Sequence, residues 1–405
     1  MSAPNTQRNE LLDALRGFAL FGVAFSNYAM LSFWLFMPEA DKAALPGAAF
    51  DGVLDILHGV FIEGKFYSIF SMLFGIGFGF FLEKGSDGLA RFYRRILVLL
   101  VIGWLHMRYL WEGDILFLYA VLGLLLPVFR HVRDRLLPIL AAVLILSPIA
   151  IDAVTVLTHG AFDPASGAHA IAMAEDDALG VPPEMINEMV PNGGLHEFLA
   201  YMKGAWWWRI EHLLATSRLP KVFGLFLLGL WVSRHKLFRN PAGHRALLKR
   251  TCVLGFALGL PFSFLTWWSG DHLEGLPRPE GLVRTVAYAL GVVPLALGYA
   301  SGFALLWTNA RWNQRLMVFA PMGRMALTNY LMQTFSGLVL FTGMGLGWGT
   351  RVSSIGFESI AVGFFVLEVC WSIWWMKRFA YGPFEWVWRS ITYGKWLPMR
   401  RQGTD

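Results

Sequence analysis

One histidine and two acidic residues lie close together, between the end of one apolar run and the start of the next. His106 lies in the second half of the apolar run 96–110, the half that we expect to face the outside of the membrane. Glu112 and Asp114 occupy the tight external turn between this run and the run 115–129. A histidine takes a proton from a hydroxyl or amine, and a carboxylate orients the ring and stabilises the imidazolium. The pattern predicts that His106 is a general base assisted by Asp114 or Glu112. A histidine that serves only helix packing is the alternative.

Arginines at the ends of two other apolar runs have the chemistry to bind an anion. Asp13 and Arg16 are three residues apart, so they share a helical face and can pair. Arg324 opens a later apolar run. Because a guanidinium makes bidentate contacts with phosphate, we expect Asp13, Arg16 and Arg324 to hold an anionic donor. A salt-bridged topology anchor is the alternative for the first pair.

A polar stripe follows Arg324 along an otherwise apolar helix. Arg324, Thr328 and Asn329 follow helical spacing, and Asn329 and Gln333 are one turn apart. Polar side chains are costly in lipid, so the stripe must face the protein interior. We assign Asn329 to the donor site, and Thr328 and Gln333, with Tyr119 of another apolar run, to the lining of a pocket. Hydrogen bonding between helices is the alternative.

The composition argues against a soluble protein. Of the 405 residues, 56% are hydrophobic and only 15% are charged, whereas soluble domains carry about 25% charged residues. The net charge of +6 comes from basic residues in short loops, which is typical of membrane topology and not of nucleic-acid binding. Cys252 and Cys370 lack metal-type spacing, so we expect no metal site.

The apolar runs predict an all-α, polytopic membrane protein with about ten transmembrane helices, since a bilayer core needs roughly 20 apolar residues per helix. The predicted spans are 17–37, 60–82, 96–110, 115–129, 136–157, 222–233, 251–268, 283–307, 326–346 and 356–376. Basic residues concentrate in the segments 83–95, 130–135 and 234–250 and in the tail after 376. The positive-inside rule places these segments and both termini in the cytoplasm, which predicts a multi-pass protein of the bacterial inner membrane.

The whole chain, 1–405, is predicted to form a single membrane domain. Its longest external segment, 158–217, contains the stretch Trp206-Trp207-Trp208-Arg209, which predicts an amphipathic helix lying on the outer interface. A motif-rich C-terminal region covers 320–395.

Five stretches of the sequence resemble the YeiB-like family of bacterial membrane proteins, long classed as a domain of unknown function. They are LDALRG at 12–17, GKFYSIFSMLFGIGFGFFL at 64–82, HMRYLWEGDILFLYAVLG at 106–123, GRMALTNYLMQT at 323–334 and GPFEWVWRSIT at 382–392. LDALRG is also similar to the first helix of transmembrane acyltransferases of the acyltransferase-3 and heparan-glucosaminide N-acetyltransferase types.

This second resemblance implies transfer of an acyl group from cytoplasmic acyl-CoA, with acetyl-CoA as one candidate, to an acceptor across the membrane. Arg16 would then lie near the donor. Acyltransferase-3 proteins carry a catalytic histidine further along the first helix, where this chain has Asn27, which we assign to the pocket lining. His106 is the best substitute for that histidine.

The leading hypothesis is therefore an acyltransferase that uses acyl-CoA as cosubstrate and has no tightly bound cofactor. Its partners would be membrane lipids and a small-molecule, glycan or lipid acceptor, without nucleic acid. The oligomeric state stays open, with a homodimer as one option. A transporter or flippase of an amphiphilic or anionic solute is the first alternative, because it would use the same polar interior. A non-catalytic scaffold is the second.

Overall fold

The computed structural model of the chain describes residues 9–181 and 183–401, and within them it contains helices and no β-strand. The α-helices are α1 (Glu10–Leu31), α2 (Glu39–Ala44), α3 (Asp51–Leu57), α4 (Lys65–Leu82), α5 (Gly85–Tyr109), α6 (Leu116–Leu125), α7 (Leu136–Leu157), α8 (Ser166–Asp177), α9 (Pro183–Asn192), α10 (Leu195–Ala215), α11 (Arg218–Arg234), α12 (Arg245–His272), α13 (Gly281–Trp307), α14 (Ala310–Leu316), α15 (Ala320–Arg324), α16 (Ala326–Phe341), α17 (Ser354–Arg378) and α18 (Pro383–Tyr393). The prediction of an all-α chain is confirmed for these residues.

Six helical segments of the described residues are long and apolar enough to cross a membrane. They are α1, the continuous segment Ala48–Leu82 that contains α3 and α4, and the helices α7, α12, α13 and α17. A seventh results if α10 and α11, which meet at a bend of 65°, count as one broken span. Leu116–His131 is a shorter apolar helix. Length and composition thus indicate a membrane protein.

Several predicted boundaries differ from the structure; the span 326–346, for example, ends at Phe341. The first span was expected to run to residue 37, but α1 ends at Leu31 because Phe33 adopts a left-handed backbone conformation with φ of 60°. The segment 83–95 was expected to be a basic loop, but α5 already begins at Gly85. The arginines of this segment therefore lie on a helix, and their spacing in the sequence determines which of them share a face of that helix.

Helix α1 packs against α4, α15, α16 and α17, and glycines permit the closest approach. A Cβ atom on Gly17 would lie 2.1 Å from the carbonyl oxygen of Phe319, and one on Gly323 would lie 1.8 Å from that of Asp13. Both distances are far inside van der Waals contact. The glycines of LDALRG and GRMALTNYLMQT therefore bring the backbones of α1 and α15 together, as small residues do in membrane helix pairs.

The segment between α7 and α11 folds back onto the helices. Trp208 Nε1 of α10 donates a hydrogen bond to Asp176 Oδ2 of α8 at 2.6 Å, and Trp206 packs against Phe117 with ring centroids 5.7 Å apart. Arg209 is only 8% exposed. The prediction that 206–209 forms a helix lying on the interface is therefore wrong for Arg209, because its side chain points into the protein.

Candidate functional site

The last turn of α5 and the turn that follows bring His106 and Asp114 together. The amide groups of Leu110 and Trp111 both donate to the carbonyl oxygen of His106, at 2.9 Å each, and end the helix. The chain then reverses, so that Asp114 Oδ2 lies 2.8 Å from His106 Nδ1. Both side chains are buried, with His106 2% exposed and Asp114 0% exposed. The structure thus unites two of the three residues predicted for catalysis.

The second ring nitrogen of His106 faces α16. His106 Nε2 lies 3.0 Å from Thr334 Oγ1, and Thr334 is 0% exposed. A carboxylate only accepts hydrogen bonds, so in the neutral ring the proton lies on Nδ1, and the lone pair of Nε2 accepts the hydroxyl of Thr334. We call Asp114, His106 and Thr334 the relay. It has the order of groups, carboxylate, imidazole and hydroxyl, that activates a hydroxyl in acyl transfer.

Groups from three helices hold Asp114 in this position. Its Oδ1 accepts the amide of Phe117 at 2.7 Å, and its Oδ2 accepts the hydroxyl of Tyr330 at 3.4 Å. Arg209 Nη2 donates to the carbonyl oxygens of Gly113 and Asp114, at 3.2 Å and 2.6 Å. The bonds to the carboxylate come from α6 and α16, and α10 holds the backbone of the turn, so Asp114 keeps its position only while the three helices stay packed.

Glu112 occupies the same turn and has a different partner. Tyr201 of α10 donates to Glu112 Oε1 at 3.3 Å. Burial raises the pKa of Glu112, and hydrogen bonds and the positive charge of Arg209 act in the opposite direction. Of the two carboxylates predicted to assist His106, Asp114 is the one that the described contacts place against the ring.

The residues predicted for the anionic donor lie where α1 meets α15. Arg16 Nη1 donates to Asp13 Oδ1 at 3.1 Å and to the carbonyl oxygen of Gly323 at 3.4 Å. Arg324 follows Gly323 directly in the chain. The structure therefore brings Asp13 and Arg16 beside the glycine that precedes Arg324.

Two more arginines, Arg95 and Arg389, lie near Arg16. The guanidinium of Arg95, on α5, stacks on the ring of Trp388 at 3.8 Å, and its charge is close enough to interact with those of Arg16 and Arg389. We call Arg16, Arg95 and Arg389, together with Arg324 as the chain neighbour of Gly323, the arginine cluster. Like charges at one place repel one another, and a bound anion relieves that repulsion. Guanidinium groups are also the side chains best suited to phosphate.

The polar stripe of α16 makes hydrogen bonds to neighbouring helices. Asn329 Nδ2 donates to Ser372 Oγ on α17 at 3.0 Å and to the carbonyl oxygen of Met322 at 3.2 Å. Thr328 Oγ1 donates to Glu385 Oε2 on α18 at 2.6 Å. These are the bonds between helices that the sequence left open as the alternative for this stripe, and they join α16 to α17 and α18.

The other residues assigned to a pocket have separate surroundings. Gln333 Nε2 donates to Glu368 Oε2 at 2.9 Å, and the Oε1 atom of each is buried without a hydrogen-bond partner among the described residues. Asn27 Nδ2 is buried and lacks such a partner as well. The hydroxyl of Tyr119 donates to the carbonyl oxygen of Tyr67 at 3.0 Å. No hydrogen bond between described residues joins Asn27, Tyr119 and Gln333 to one another.

A groove of about 620 Å³ lies elsewhere, at the C-terminal ends of α4 and α11. Arg234 lines it and donates to the carbonyl oxygens of Val132 and Arg130, at 2.6 Å and 2.7 Å, and to Asp134 Oδ1 at 2.7 Å. The guanidinium of Arg234 therefore holds the segment between α6 and α7 against the C-terminal end of α11. The groove contains none of the residues predicted for the site.

Four residues of these sites are not among those predicted from the sequence: Thr334, Tyr330, Arg209 and Arg95. Thr334 and Tyr330 are four residues apart, so they share a face of α16, and that face adjoins the one occupied by Asn329 and Gln333. A search for polar pairs on every face of this helix would have found them. Nothing in the sequence near Arg209 or Arg95 distinguishes them from arginines at a membrane interface.

The chain is similar to proteins whose functions are not described. A family model described as protein of unknown function (DUF418) matches residues 232–395. The uncharacterized protein YxaH of Bacillus subtilis is 30% identical, over 98% of this chain and 97% of its own length. The uncharacterized protein YeiB of Escherichia coli is 26% identical, over 95% of this chain and 96% of its own length. No solved structure matches the chain.

Proposed function

The chain belongs to the YeiB-like family of DUF418 proteins, and from that premise we propose that it is a membrane acyltransferase. It would move an acyl group from cytoplasmic acyl-CoA to an external or membrane-embedded acceptor. The observation that carries this proposal is the relay, in which Asp114, His106 and Thr334 are joined by hydrogen bonds of 2.8 Å and 3.0 Å. A ring that only packed helices together would not need a carboxylate that also accepts the Phe117 amide and the Tyr330 hydroxyl.

In the proposed reaction, His106 Nε2 takes the proton of the acceptor hydroxyl or amine. The acceptor atom forms a bond to the thioester carbonyl carbon, the carbon–sulfur bond breaks, and the thiolate of CoA leaves and takes the proton from the imidazolium. Asp114 stabilises the imidazolium between these two steps. Since the relay is closed to solvent in this structure, the hydroxyl of Thr334 must move off Nε2 before an acceptor enters.

The arginine cluster would bind the phosphates of the donor. The chain from Arg324 to Thr334 covers ten residues, mostly in α16, so the cluster and the relay are separated by about 15 Å at 1.5 Å per residue. An extended pantetheine arm spans a distance of this order between its phosphate and its thioester. Anionic phosphates at one end of α16 and a base of α5, His106, that faces α16 further along at Thr334 therefore suit one bound acyl-CoA.

The proposal includes the full topology of about ten spans in the bacterial inner membrane, with both termini in the cytoplasm. The six long apolar segments supply part of it. Four further helices, α5, α6 with its 3-10 extension to His131, α11 and α16, correspond to the remaining predicted spans. With ten crossings the relay lies towards the external end of α5, and the arginine cluster lies towards the cytoplasm.

The test is acetyl-CoA binding and turnover by the detergent-purified chain. We expect saturable binding in calorimetry, weakened at least tenfold by Arg16→Gln or Arg95→Gln. We also expect acetyl-CoA-dependent product formation with membrane extracts, lost in His106→Ala. His58→Ala is the matched control, because His58 Nδ1 also lies against a carboxylate, Glu358 Oε1, at 3.2 Å and takes no part in the relay. No binding of acetyl-CoA, or equal loss in both histidine variants, would contradict the proposal.

A transporter of an anionic solute is the second candidate, and the break between α10 and α11 favours it. Broken helices with charged residues at the break bind solutes in many transporters. Here a 65° bend precedes Arg218 and Lys221. Flux of a labelled anion into proteoliposomes, without any covalent product and with His106→Ala as active as wild type, would favour transport over acyl transfer.

A further inference from the structure

We propose that Arg218 and Lys221, at the start of α11, form a binding site for a phosphate or carboxylate group together with Tyr67 and Tyr288. This anion site is distinct from the relay and from the arginine cluster. It does not depend on acyl transfer, and its test uses no acyl-CoA.

Three helices contribute to the anion site. Arg218 and Lys221 are three residues apart, so both extend from one face of the first turn of α11. The guanidinium of Arg218 lies 4.4 Å from the ring centre of Tyr67 on α4, and the ammonium of Lys221 lies 4.3 Å from that of Tyr288 on α13. The two tyrosine hydroxyls lie 3.3 Å apart. Two cations and two hydroxyl groups thus converge between α4, α11 and α13.

Neither cation of this site forms an ion pair within 4 Å with a described carboxylate. Lys221 is 6% exposed, and no described carboxylate lies within 4 Å of its ammonium and no described group accepts a hydrogen bond from it. Arg218 Nε is buried without a hydrogen-bond partner among the described residues, and its Nη2 lies 3.4 Å from His212 Nε2. Burying a cation without a counter-ion is costly. Ring faces recover only part of that cost.

The surrounding charges leave the site positive. Glu63 and Asp152 are the carboxylates that act on Lys221, and Asp152 already accepts the hydroxyl of Thr285. Lys65 adds a third cation near Glu63, and its ammonium donates to the carbonyl oxygen of Gly59 at 2.7 Å. The N-terminal end of α11 contributes further partial positive charge. Three cations therefore face two carboxylates.

This combination fits a tetrahedral or planar anion. A guanidinium offers paired donors, the ammonium offers a mobile point charge, and the tyrosine hydroxyl that does not donate to the other offers one further donor. A free phosphate and the phosphate of an anionic lipid share this chemistry. Which of them binds depends on access from solvent or from the bilayer, so the experiment has an arm for each.

The experiment uses the full chain, freed of lipid in dodecyl maltoside. One arm titrates inorganic phosphate and follows heat and the Tm. The other adds phosphatidylglycerol to the micelles and follows the Tm. Wild type is compared with the double variant Arg218→Gln/Lys221→Gln, with Tyr67→Phe/Tyr288→Phe, and with Arg278→Gln. Arg278 is the matched control, because it is an exposed arginine that already pairs with Glu274 at 3.0 Å.

We expect one probe to raise the Tm of wild type and of Arg278→Gln, as a ligand that binds only the folded state must. The apparent Kd should rise at least tenfold in the arginine–lysine double variant and severalfold in the tyrosine variant. A response to phosphate assigns a soluble anion, and a response to phosphatidylglycerol alone assigns a lipid. The tyrosine variant keeps all charges, so it decides the question if the first variant does not fold. No response to either probe, or equal responses in all variants, overturns the proposal.

Discussion

Asp114 determines which nitrogen of His106 carries the proton. Because the carboxylate accepts from Nδ1, the neutral ring presents a free lone pair at Nε2, where Thr334 now donates. The Phe117 amide and the Tyr330 hydroxyl hold the carboxylate in that orientation, and Arg209 holds the backbone carbonyl of Asp114. The effect of a substitution at this turn should therefore depend on whether it changes the tautomer and not only on whether it removes a charge.

Asp114→Asn should lower kcat of the proposed acyl transfer by about 10²- to 10⁴-fold, since an amide can donate to Nδ1 and favour the wrong tautomer. The variant keeps the size of the side chain. Turnover of labelled acetyl-CoA measures the effect. Glu112→Gln is the matched control in the same turn, because its partner is Tyr201 and not His106. If the two variants lose activity equally, Asp114 has no special part in the reaction.

Among the helices, α16 connects the proposed parts of the site. Its first turn is held by Glu385 of α18, whose Oε1 accepts the amides of Leu327 and Thr328 at 2.6 Å and 3.1 Å. A carboxylate at a helix N-terminus satisfies free amide groups and interacts favourably with the helix dipole. Further along, Tyr330 and Thr334 face the relay. The position of α16 therefore sets the geometry of both ends of the proposed site.

The contact between α1 and α15 should tolerate no side chain at Gly323. We expect Gly323→Ala to destabilise the protein by about 1–3 kcal/mol, because the new Cβ would overlap the carbonyl oxygen of Asp13 and push the two helices apart. Thermal unfolding in detergent measures the loss. Gly363→Ala in α17 is the control, since no atom lies within 4 Å of the added Cβ. An equal Tm for both variants would show that the close approach is not needed.

For the whole molecule, the proposed topology places the loops on alternating sides of the membrane. In a variant with Cys252→Ser and Cys370→Ser, single cysteines at Asp163 and Glu274 should react with a membrane-impermeant maleimide in intact cells. A cysteine at Asn240 should react only after the membrane is broken. Gel-shift labelling measures this. Protection at Glu274 with labelling at Asn240 would reverse the orientation and move the arginine cluster away from cytoplasmic acyl-CoA.

The sequence by itself determined the helical class and the membrane character, and it placed two carboxylates, Glu112 and Asp114, within a few residues of His106; the structure selected Asp114. These properties depend on local information: apolar runs of sufficient length, and two residues eight positions apart on either side of a turn. A short turn between two apolar helices leaves such residues few arrangements. The family resemblance was also readable from short motifs spread along the chain.

The tertiary structure alone decided which distant groups complete each site. Thr334 is 228 positions from His106, and Arg209 is 95 positions from Asp114. In the same way, the fold selected α17 and α18 as the partners of the polar stripe on α16. An amphipathic pattern indicates that one face of a helix is buried, but it does not indicate which other helix packs against that face. That choice depends on the simultaneous packing of all helices, such as the approach at Gly17 and Gly323, which no local pattern contains.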